Sequence, residues 1–518
     1  MADEKYPIGT QTFSILRSRG YVYVDKTEYI HKLINSYRFV FLSRPRRFGK
    51  SLLISTLESF FKGRRELFKG LAIDRLMPEE WSEYPVVHLD MSGNDYNSEF
   101  MLANAISTQL DSYEQIAGIS HKNADLSNRL AILLNEMHRK YGRKVVVLVD
   151  EYDNPITQTI GRDELQNRFR EILYSFYSTL KRCDSHIQFG MLTGITKYGK
   201  LSVFSGLNNL KDISFDNEFA GICGITEEEL QLNFRSGVEK LAIAEEISTD
   251  KAFQKLKSYY DGYHFSRSML DVYNPYSLLN ALADKEIKKY WYETATPSLL
   301  VNVLKNSSFD LDSLENSRAT ESSLNDISSI SIDPLALFYQ TGYLTLRQYD
   351  KVYKEFTLGF PNREVESGFK QNLLNSFANV QAPDIFINKL KRALDNGDAE
   401  GFIGLLRSFL SDIPLKLRRN LEKYENYYHT ILYSVFTLLG LDTTAEYGTS
   451  DGYIDLLVKT SGYIYVIELK INGTAADAMA QIERKQYARP FEKDGRKIVK
   501  IGIGFAESTH SIDSAIIG

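Results

Sequence analysis

With two cysteines in 518 residues, Cys183 and Cys223, the chain has too few for a disulfide framework or a cysteine-rich zinc site. A reducing compartment is therefore expected. No run reaches the roughly 18 apolar residues of a membrane span, and Met1-Ala-Asp-Glu-Lys-Tyr-Pro7 has no apolar core of a signal peptide. These absences predict a soluble, cytoplasmic protein with no membrane partner. The net charge of −5 argues against a general nucleic-acid coat and leaves any such contact to a local basic patch. Internal repeats and low-complexity tracts are missing too, which removes the solenoids. What is present is ordinary for a globular chain: 43% hydrophobic and 25% charged residues, with length for roughly two to four domains.

The most informative stretch is Arg38-Phe-Val-Phe-Leu-Ser-Arg-Pro-Arg-Arg-Phe-Gly-Lys-Ser51. A short apolar run, predicted as a strand over Phe39 to Leu42, feeds a basic loop, and a helix is predicted over Ser51 to Phe61. A phosphate-binding loop needs such a strand and turn, a Lys for the phosphates and a hydroxyl for Mg²⁺. Gly49, Lys50 and Ser51 supply its end. The usual first Gly, five positions earlier, is replaced by Arg44. Arg46 and Arg47 are candidates to contact phosphate oxygens in place of the lost backbone cradle. A strand-to-helix turn with a solvated basic rim would carry the same residues.

Two later runs bear on that choice. Arg143-Lys-Val-Val-Val-Leu-Val-Asp-Glu-Tyr-Asp153 is continuous and apolar until its acids, as in a parallel strand buried on both faces. In nucleotide hydrolases such a strand delivers an Asp to Mg²⁺ and a Glu that orients the attacking water; Asp150 and Glu151 fit. Ile187-Gln-Phe-Gly-Met-Leu-Thr-Gly194 ends in Thr193, where a γ-phosphate sensor would sit. No Asn-Lys-X-Asp element for guanine is present, which leaves adenine as the default base.

Along the chain, Tyr21 to Asp25 alternates like a short strand, Lys26 to Ile34 has helical spacing, and Tyr84 to Asp90 reads as a strand. Helices are expected over 99–113, 127–141 and 165–180. This alternation predicts a parallel sheet with helices on both faces and a ligand at the carboxyl ends of its strands. From about 227 the spacing is mainly helical. Residues 306–331 are a linker or, if Ile327, Ile330 and Ile332 are buried, short strands. Residues 364–412 are read as helices. The last part changes character: a helix at 427–439, strands at 443–447, 453–458 and 463–470, a helix at 475–487 and a strand at 498–505. The expected domains are 1–225, 226–410 and 411–518.

Within the last of these, Asp455 interrupts a buried-looking strand, and Glu468 and Lys470 lie two residues apart on the next, hence on one face. Charges are rarely placed in apolar strands without partners. Two carboxylates can hold Mg²⁺, and a lysine beside them can steady a nucleophile or a phosphoryl centre. Glu446 and Gln481 are candidates to add a ligand or a supporting contact. A buried ion network with no ligand would have the same composition. Basic patches at 416–419 and from Arg484-Lys485 to Lys500 are candidates to follow a phosphate backbone.

Taken with Tyr23-Val-Asp-Lys-Thr27, Leu192-Thr-Gly-Ile-Thr-Lys197, Tyr260-Asp-Gly-Tyr263, Tyr273-Asn-Pro-Tyr-Ser277 and Tyr339-Gln-Thr-Gly-Tyr-Leu-Thr345, these motifs resemble the AAA-ATPase-like family that carries a C-terminal PD-(D/E)XK nuclease-superfamily domain. The resemblance spans nearly the whole chain. It implies an α/β fold with an N-terminal P-loop NTPase, a mainly helical middle region and a C-terminal PD-(D/E)XK-like domain. It further implies ATP and Mg²⁺ as cofactors, with Lys50 on the phosphates, Ser51 and Asp150 around the metal, and Glu151 as base. Asp455, Glu468 and Lys470 are implied as the nuclease core, with Glu446 and Gln481 accessory. The first helix of such nucleases often supplies an acid; here Glu425 lies near and Tyr428-His429 takes the more similar position. The expected function is an ATPase whose nucleotide state gates Mg²⁺-dependent cleavage of nucleic acid, DNA foremost, in defence against mobile elements. The alternative is a nucleotide-dependent switch whose last domain binds without cutting. A homo-oligomer, ring or dimer, is compatible with either.

Overall fold

The computed structural model describes residues 4–79, 81–120, 124–197, 210–291, 300, 303, 314–325, 327, 334–378, 383–411, 435, 442–449, 452–470, 473–505 and 512–518. They fall into two compact units, Met1–Phe309 with Leu314–Glu366, and Asp310–Ser313 with Ser367–Gly518. None of the described helices is long and apolar enough to cross a membrane.

The first unit is built on a parallel sheet of β1 (Phe39–Ser43), β2 (Val86–Asp90), β3 (Val145–Asp150), β4 (Ile187–Gly194) and β5 (Lys211–Asp212), in the order β2-β3-β4-β1-β5. Strand β3 has no residue facing water: Val145 to Val149 are all 0% exposed, which is why its sequence is continuous rather than alternating. Helices Lys50–Phe61, Glu99–Ala117, Leu126–Tyr141 and Asp163–Arg182 return the chain between the parallel strands. Because all strands run the same way, the segments after β1, β2 and β3 emerge at one edge, and so do Lys50, Asn94 and Glu151.

The expected strand at Tyr21–Asp25 does not form; the segment is irregular. Its backbone goes instead to Leu16 and Lys5 carbonyls, and Asp25 accepts from the N–H and hydroxyl of Thr27 to start the helix Thr27–Ser36. The middle region is mainly helical, opening with Glu227–Ala244, Thr249–Tyr260 and Pro275–Asp284. It also carries an antiparallel sheet of β6 (Arg318–Thr320), β7 (Thr345–Asp350) and β8 (Glu355–Gly359), ordered β6-β8-β7, of which β7 and β8 were not anticipated. Ile327 is buried; Ile330 and Ile332 lie outside the described residues.

The second unit contains helices Pro383–Asp395 and Ala399–Ser411 and a five-stranded sheet of β9 (Asp442–Thr449), β10 (Gly452–Lys459), β11 (Tyr463–Lys470), β12 (Lys497–Phe505) and β13 (Ile512–Ile517), in the order β13-β12-β11-β10-β9. Only β11 and β12 are parallel, and the helix Ala475–Arg484 makes the crossover such a pair requires. Strand β13 was not expected. The helix read at 427–439, with Glu425 and His429, lies outside the described residues apart from Val435, as does the basic patch at 416–419.

Candidate functional site

In the first unit, Gly49 ends the loop after β1 at φ 92°, a left-handed conformation that glycine enters without a Cβ penalty. Arg47 has φ 68° and Glu151 φ 50°, conformations that non-glycine residues hold only where the surroundings enforce them. Lys50 is buried, and its Nζ donates to the carbonyl oxygens of Arg44 and Pro45, each at 3.0 Å. The loop thus closes on its own lysine. Arg44 does not line the cleft beside the loop and is turned into the protein interior. It is 1% exposed, donates to the Ser43, Ser214 and Phe219 carbonyls and lies over the Phe265 ring at 4.2 Å. The residue standing where glycine was expected is therefore an internal brace of the loop.

Beside the loop lies a cleft of about 480 Å³ lined by Arg46, Arg47, Lys50, Ser51, Asn94 and Glu151, with Tyr276 and Asn280 from the helix Pro275–Asp284 on the other wall. Arg47 sits over the Tyr276 ring at 4.7 Å. That helix is held by Ser277, whose hydroxyl donates to Glu364, while Glu364 accepts the Trp291 N–H and the Trp291 indole donates to the Arg46 carbonyl. An apolar cavity of about 90 Å³ adjoins the cleft, sharing Gly49, Leu52, Pro275 and Leu279 and adding Phe48 and Ile225.

At the end of β3, Asp150 is buried and its Oδ1 accepts from the Thr193 hydroxyl and from the Glu151 N–H. Thr193 is 0% exposed, so in this structure its hydroxyl orients Asp150. Asp153 accepts from the N–H groups of Ile195 and Thr196, and burial raises its carboxyl above the ordinary range. Gly194 must be glycine, since a Cβ would lie 2.5 Å from Asp153 Oδ1 and 2.6 Å from the Tyr152 ring. Burial also raises the Glu151 carboxyl, with Lys50 acting against it. The cleft brings Arg46, Arg47, Gly49, Lys50, Ser51 and Glu151 together; Asp150 and Thr193 stand behind it.

In the second unit, Lys470 Nζ donates to Glu468 Oε1 at 3.1 Å, and the Gln481 amide donates to the same oxygen. Asp455 Oδ2 accepts the Leu469 N–H at 2.8 Å. Glu468 is 1% exposed and its Oε2 is buried with no hydrogen-bond partner among the described residues. Burial, and then the negative charge of Asp455, push its carboxyl up to about 7. Such an orphaned buried oxygen is costly, and a divalent cation would satisfy it. Among the described residues no three His, Cys, Asp or Glu side chains converge on one point. Two carboxylates fit Mg²⁺, which keeps most of its waters. Glu446 lies on β9 between Ala445 and Tyr447, whose partners are Leu456 and Ile454, so its backbone is opposite Asp455; its side chain lies outside the description. Tyr487, buried and with its hydroxyl 3.5 Å from the Gln481 amide, was not singled out from the sequence. Nor were Tyr276 and Asn280, although Tyr276 belongs to a quoted motif. Of the basic patch, Lys500 is ion-paired with Glu483 at 2.7 Å.

These arrangements define a P-loop nucleotide-binding unit and a second unit whose inner strands β10 and β11 carry a carboxylate–lysine cluster. The family described as Predicted AAA-ATPase matches residues 7–204, and the PD-(D/E)XK nuclease superfamily matches residues 423–515. A protein of Azotobacter chroococcum mcd 1, described as an uncharacterized protein in the vnfD 5' region, is 35% identical over 529 residues, covering 100% of this chain and 99% of its own. The solved structure of Aeropyrum pernix ORC2 in its ADPNP-ADP complexes shares 11% identity over 67% of this chain and 92% of its own, with a TM-score of 0.23, at which neither fold nor function transfers. The chain belongs to the AAA-ATPase-like family and carries a C-terminal PD-(D/E)XK nuclease-superfamily domain.

Proposed function

We propose that the chain binds and hydrolyses ATP with Mg²⁺ in the cleft beside Lys50, and that its nucleotide state gates Mg²⁺-dependent cleavage of DNA at Asp455, Glu468 and Lys470. In the first site Lys50 exchanges the Arg44 and Pro45 carbonyls for the β- and γ-phosphates. Arg46 and Arg47 meet phosphate oxygens, Ser51 and Asp150 hold the metal, and Glu151 takes the proton of the attacking water. Thr193 fixes the carboxylate of Asp150. The adjoining apolar cavity suits a purine ring.

In the second site Asp455 and Glu468 hold Mg²⁺, which supplies charge stabilisation at a phosphodiester. Lys470 steadies the developing negative charge, Gln481 keeps Glu468 oriented, and Glu446 is an accessory ligand. The observation that carries the cleavage reading is the buried Oε2 of Glu468, unpartnered among the described residues, beside Asp455 and Lys470. Defence against mobile elements is the biological setting proposed.

The test is incubation of plasmid, single-stranded DNA and RNA with Mg²⁺ or Mn²⁺, with and without ATP. Cleavage that ATP changes, and that both Lys470→Ala and Lys50→Ala remove, is the expected result. Identical products from Lys470→Ala would overturn the cleavage reading, and indifference to Lys50→Ala the gating.

The second reading, a nucleotide switch with a non-cleaving last domain, has one observation in its favour. Lys197, just past β4, donates its N–H to Gln340 and its Nζ to Asn325, tying the end of the nucleotide sheet to the helical segment between β6 and β7. Tight ATP binding with no cleavage of any substrate would select it.

A further inference from the structure

The β7–β8 hairpin belongs to neither site, yet it shows the features of a contact surface. Asp350 pairs with Glu355, leaving a four-residue tip, Lys351-Val-Tyr-Lys354. Its two apolar side chains are among the most exposed in the molecule, Val352 at 82% and Tyr353 at 69%. The tip is braced rather than loose: Asp350 Oδ1 accepts the N–H groups of Val352 and Tyr353 at 2.8 and 3.1 Å. Below it, Tyr349 lies between the tilted Phe356 ring at 4.8 Å and the Arg267 guanidinium at 4.9 Å. The two acids flanking the tip are already engaged, Asp350 by those N–H groups and Glu355 by Arg318 at 3.8 Å. Lys351 and Lys354 are exposed and, among the described residues, have no ion-pair partner. Asp350 keeps its charge, so with Glu355 offset by Arg318 the two lysines leave the tip with a small net positive charge. The helix Leu335–Thr341 between β6 and β7 offers no comparable surface, since every residue from Leu335 to Gln340 is buried.

We propose that this hairpin is a nucleic-acid contact, entering a groove of a duplex with Tyr353 and Val352 against base edges or sugars and Lys351 and Lys354 on the flanking phosphates. A two-stranded ribbon is an element that a major groove about 12 Å wide admits. Unpaired lysines gain by displacing counterions from phosphates, and an exposed tyrosine ring offers a stacking face of any base sequence. A duplex presents phosphates on both sides of its groove, as Lys351 and Lys354 stand on both sides of Val352 and Tyr353. The contact does not depend on the cleavage reading, because a hairpin can hold a duplex whether or not Glu468 cuts it.

The experiment uses the full chain with a metal chelator, so that cleavage plays no part. Tyr353→Trp places a reporter at the tip, and the two native tryptophans, Trp81 and Trp291, are only 7% and 1% exposed. Titration with a labelled 30-base-pair duplex is expected to change the new tryptophan's emission with the same midpoint as the duplex anisotropy. Lys351→Glu with Lys354→Glu is expected to weaken binding by about tenfold or more and to lower the salt slope by about 2, with little change in the thermal melt because neither lysine makes an ion pair among the described residues. A silent tryptophan at saturating duplex, an unaltered affinity and slope in the double variant, or no binding of duplex by the full chain would each overturn the proposal. So would a tryptophan that responds to single strands or to acidic protein while ignoring the duplex. Cleavage by the parent chain is assayed separately with Mg²⁺, and failure of cleavage alone leaves the hairpin result standing.

Discussion

The two candidate sites solve the same electrostatic problem in opposite ways. In the nucleotide cleft the key groups are already satisfied: Lys50 by two loop carbonyls, Asp150 by Thr193 and the Glu151 N–H, Asp153 by two backbone amides. In the second unit Glu468 keeps one oxygen buried with no partner among the described residues and is pushed up to about 7 by burial and by Asp455. The difference teaches where a ligand's binding energy goes. A nucleotide bound as proposed would have to displace internal hydrogen bonds, whereas a cation at Glu468 would relieve a cost already present in the fold.

The comparison is sharpened most by removing each site's central group. Glu468→Ala is expected to lower cleavage on the order of 1000-fold, since metal-ion stabilisation is worth several kcal/mol; timed nicking of plasmid measures it. Lys50→Ala is expected to weaken ATP binding by about 10- to 100-fold in a calorimetric titration, the worth of a charge-assisted hydrogen bond to phosphate. It also strands the Arg44 and Pro45 carbonyls, so the free protein loses stability.

Glu468→Gln should do the reverse. The parent carboxyl, raised from 4.5 to about 7, binds more protons folded than unfolded between those values. Stability of the metal-free protein therefore falls as pH rises from about 4.5 through 7, by on the order of 2 kcal/mol, and is flat above. Urea unfolding of the second unit in chelator at pH 5 and pH 8 should show that fall in the parent and its absence in Glu468→Gln. A variant with the parent's pH dependence would break the contrast between the sites. The smallest effect is expected at Tyr276→Leu, which removes the ring over Arg47. The apparent affinity for ATP should drop by about threefold, as a cation–π contact of about 0.5–1 kcal/mol implies.

Much of this was legible because it is local. The run Val145 to Asp150 reads as a buried strand with no help from its neighbours, and the spacing of Glu468 and Lys470 puts both on one face of β11. Less was legible where partners are distant in sequence. Tyr21–Asp25 alternates as strands do, but alternation supplies no neighbouring strand, and Asp25 is used to start a helix. Strands β7 and β8 escaped within a region of helical spacing, because a short hairpin carries little periodicity. The far wall of the nucleotide cleft, Tyr276 and Asn280, comes from a helix more than 200 residues after the loop, and no local pattern points across that distance.

By itself the sequence determined the two kinds of unit, the strands that carry their acids, and the set of residues from which the sites are drawn. Local periodicity and the chemistry of glycine, lysine and carboxylate act over a few residues, and a sequence displays them directly. Only the tertiary structure decided that Arg44 is an internal brace, that Thr193 serves Asp150, and that one oxygen of Glu468 is left without a partner among the described residues. Each of those depends on which atoms from remote segments fill the space around a side chain. Burial and hydrogen-bond satisfaction are properties of the packed whole.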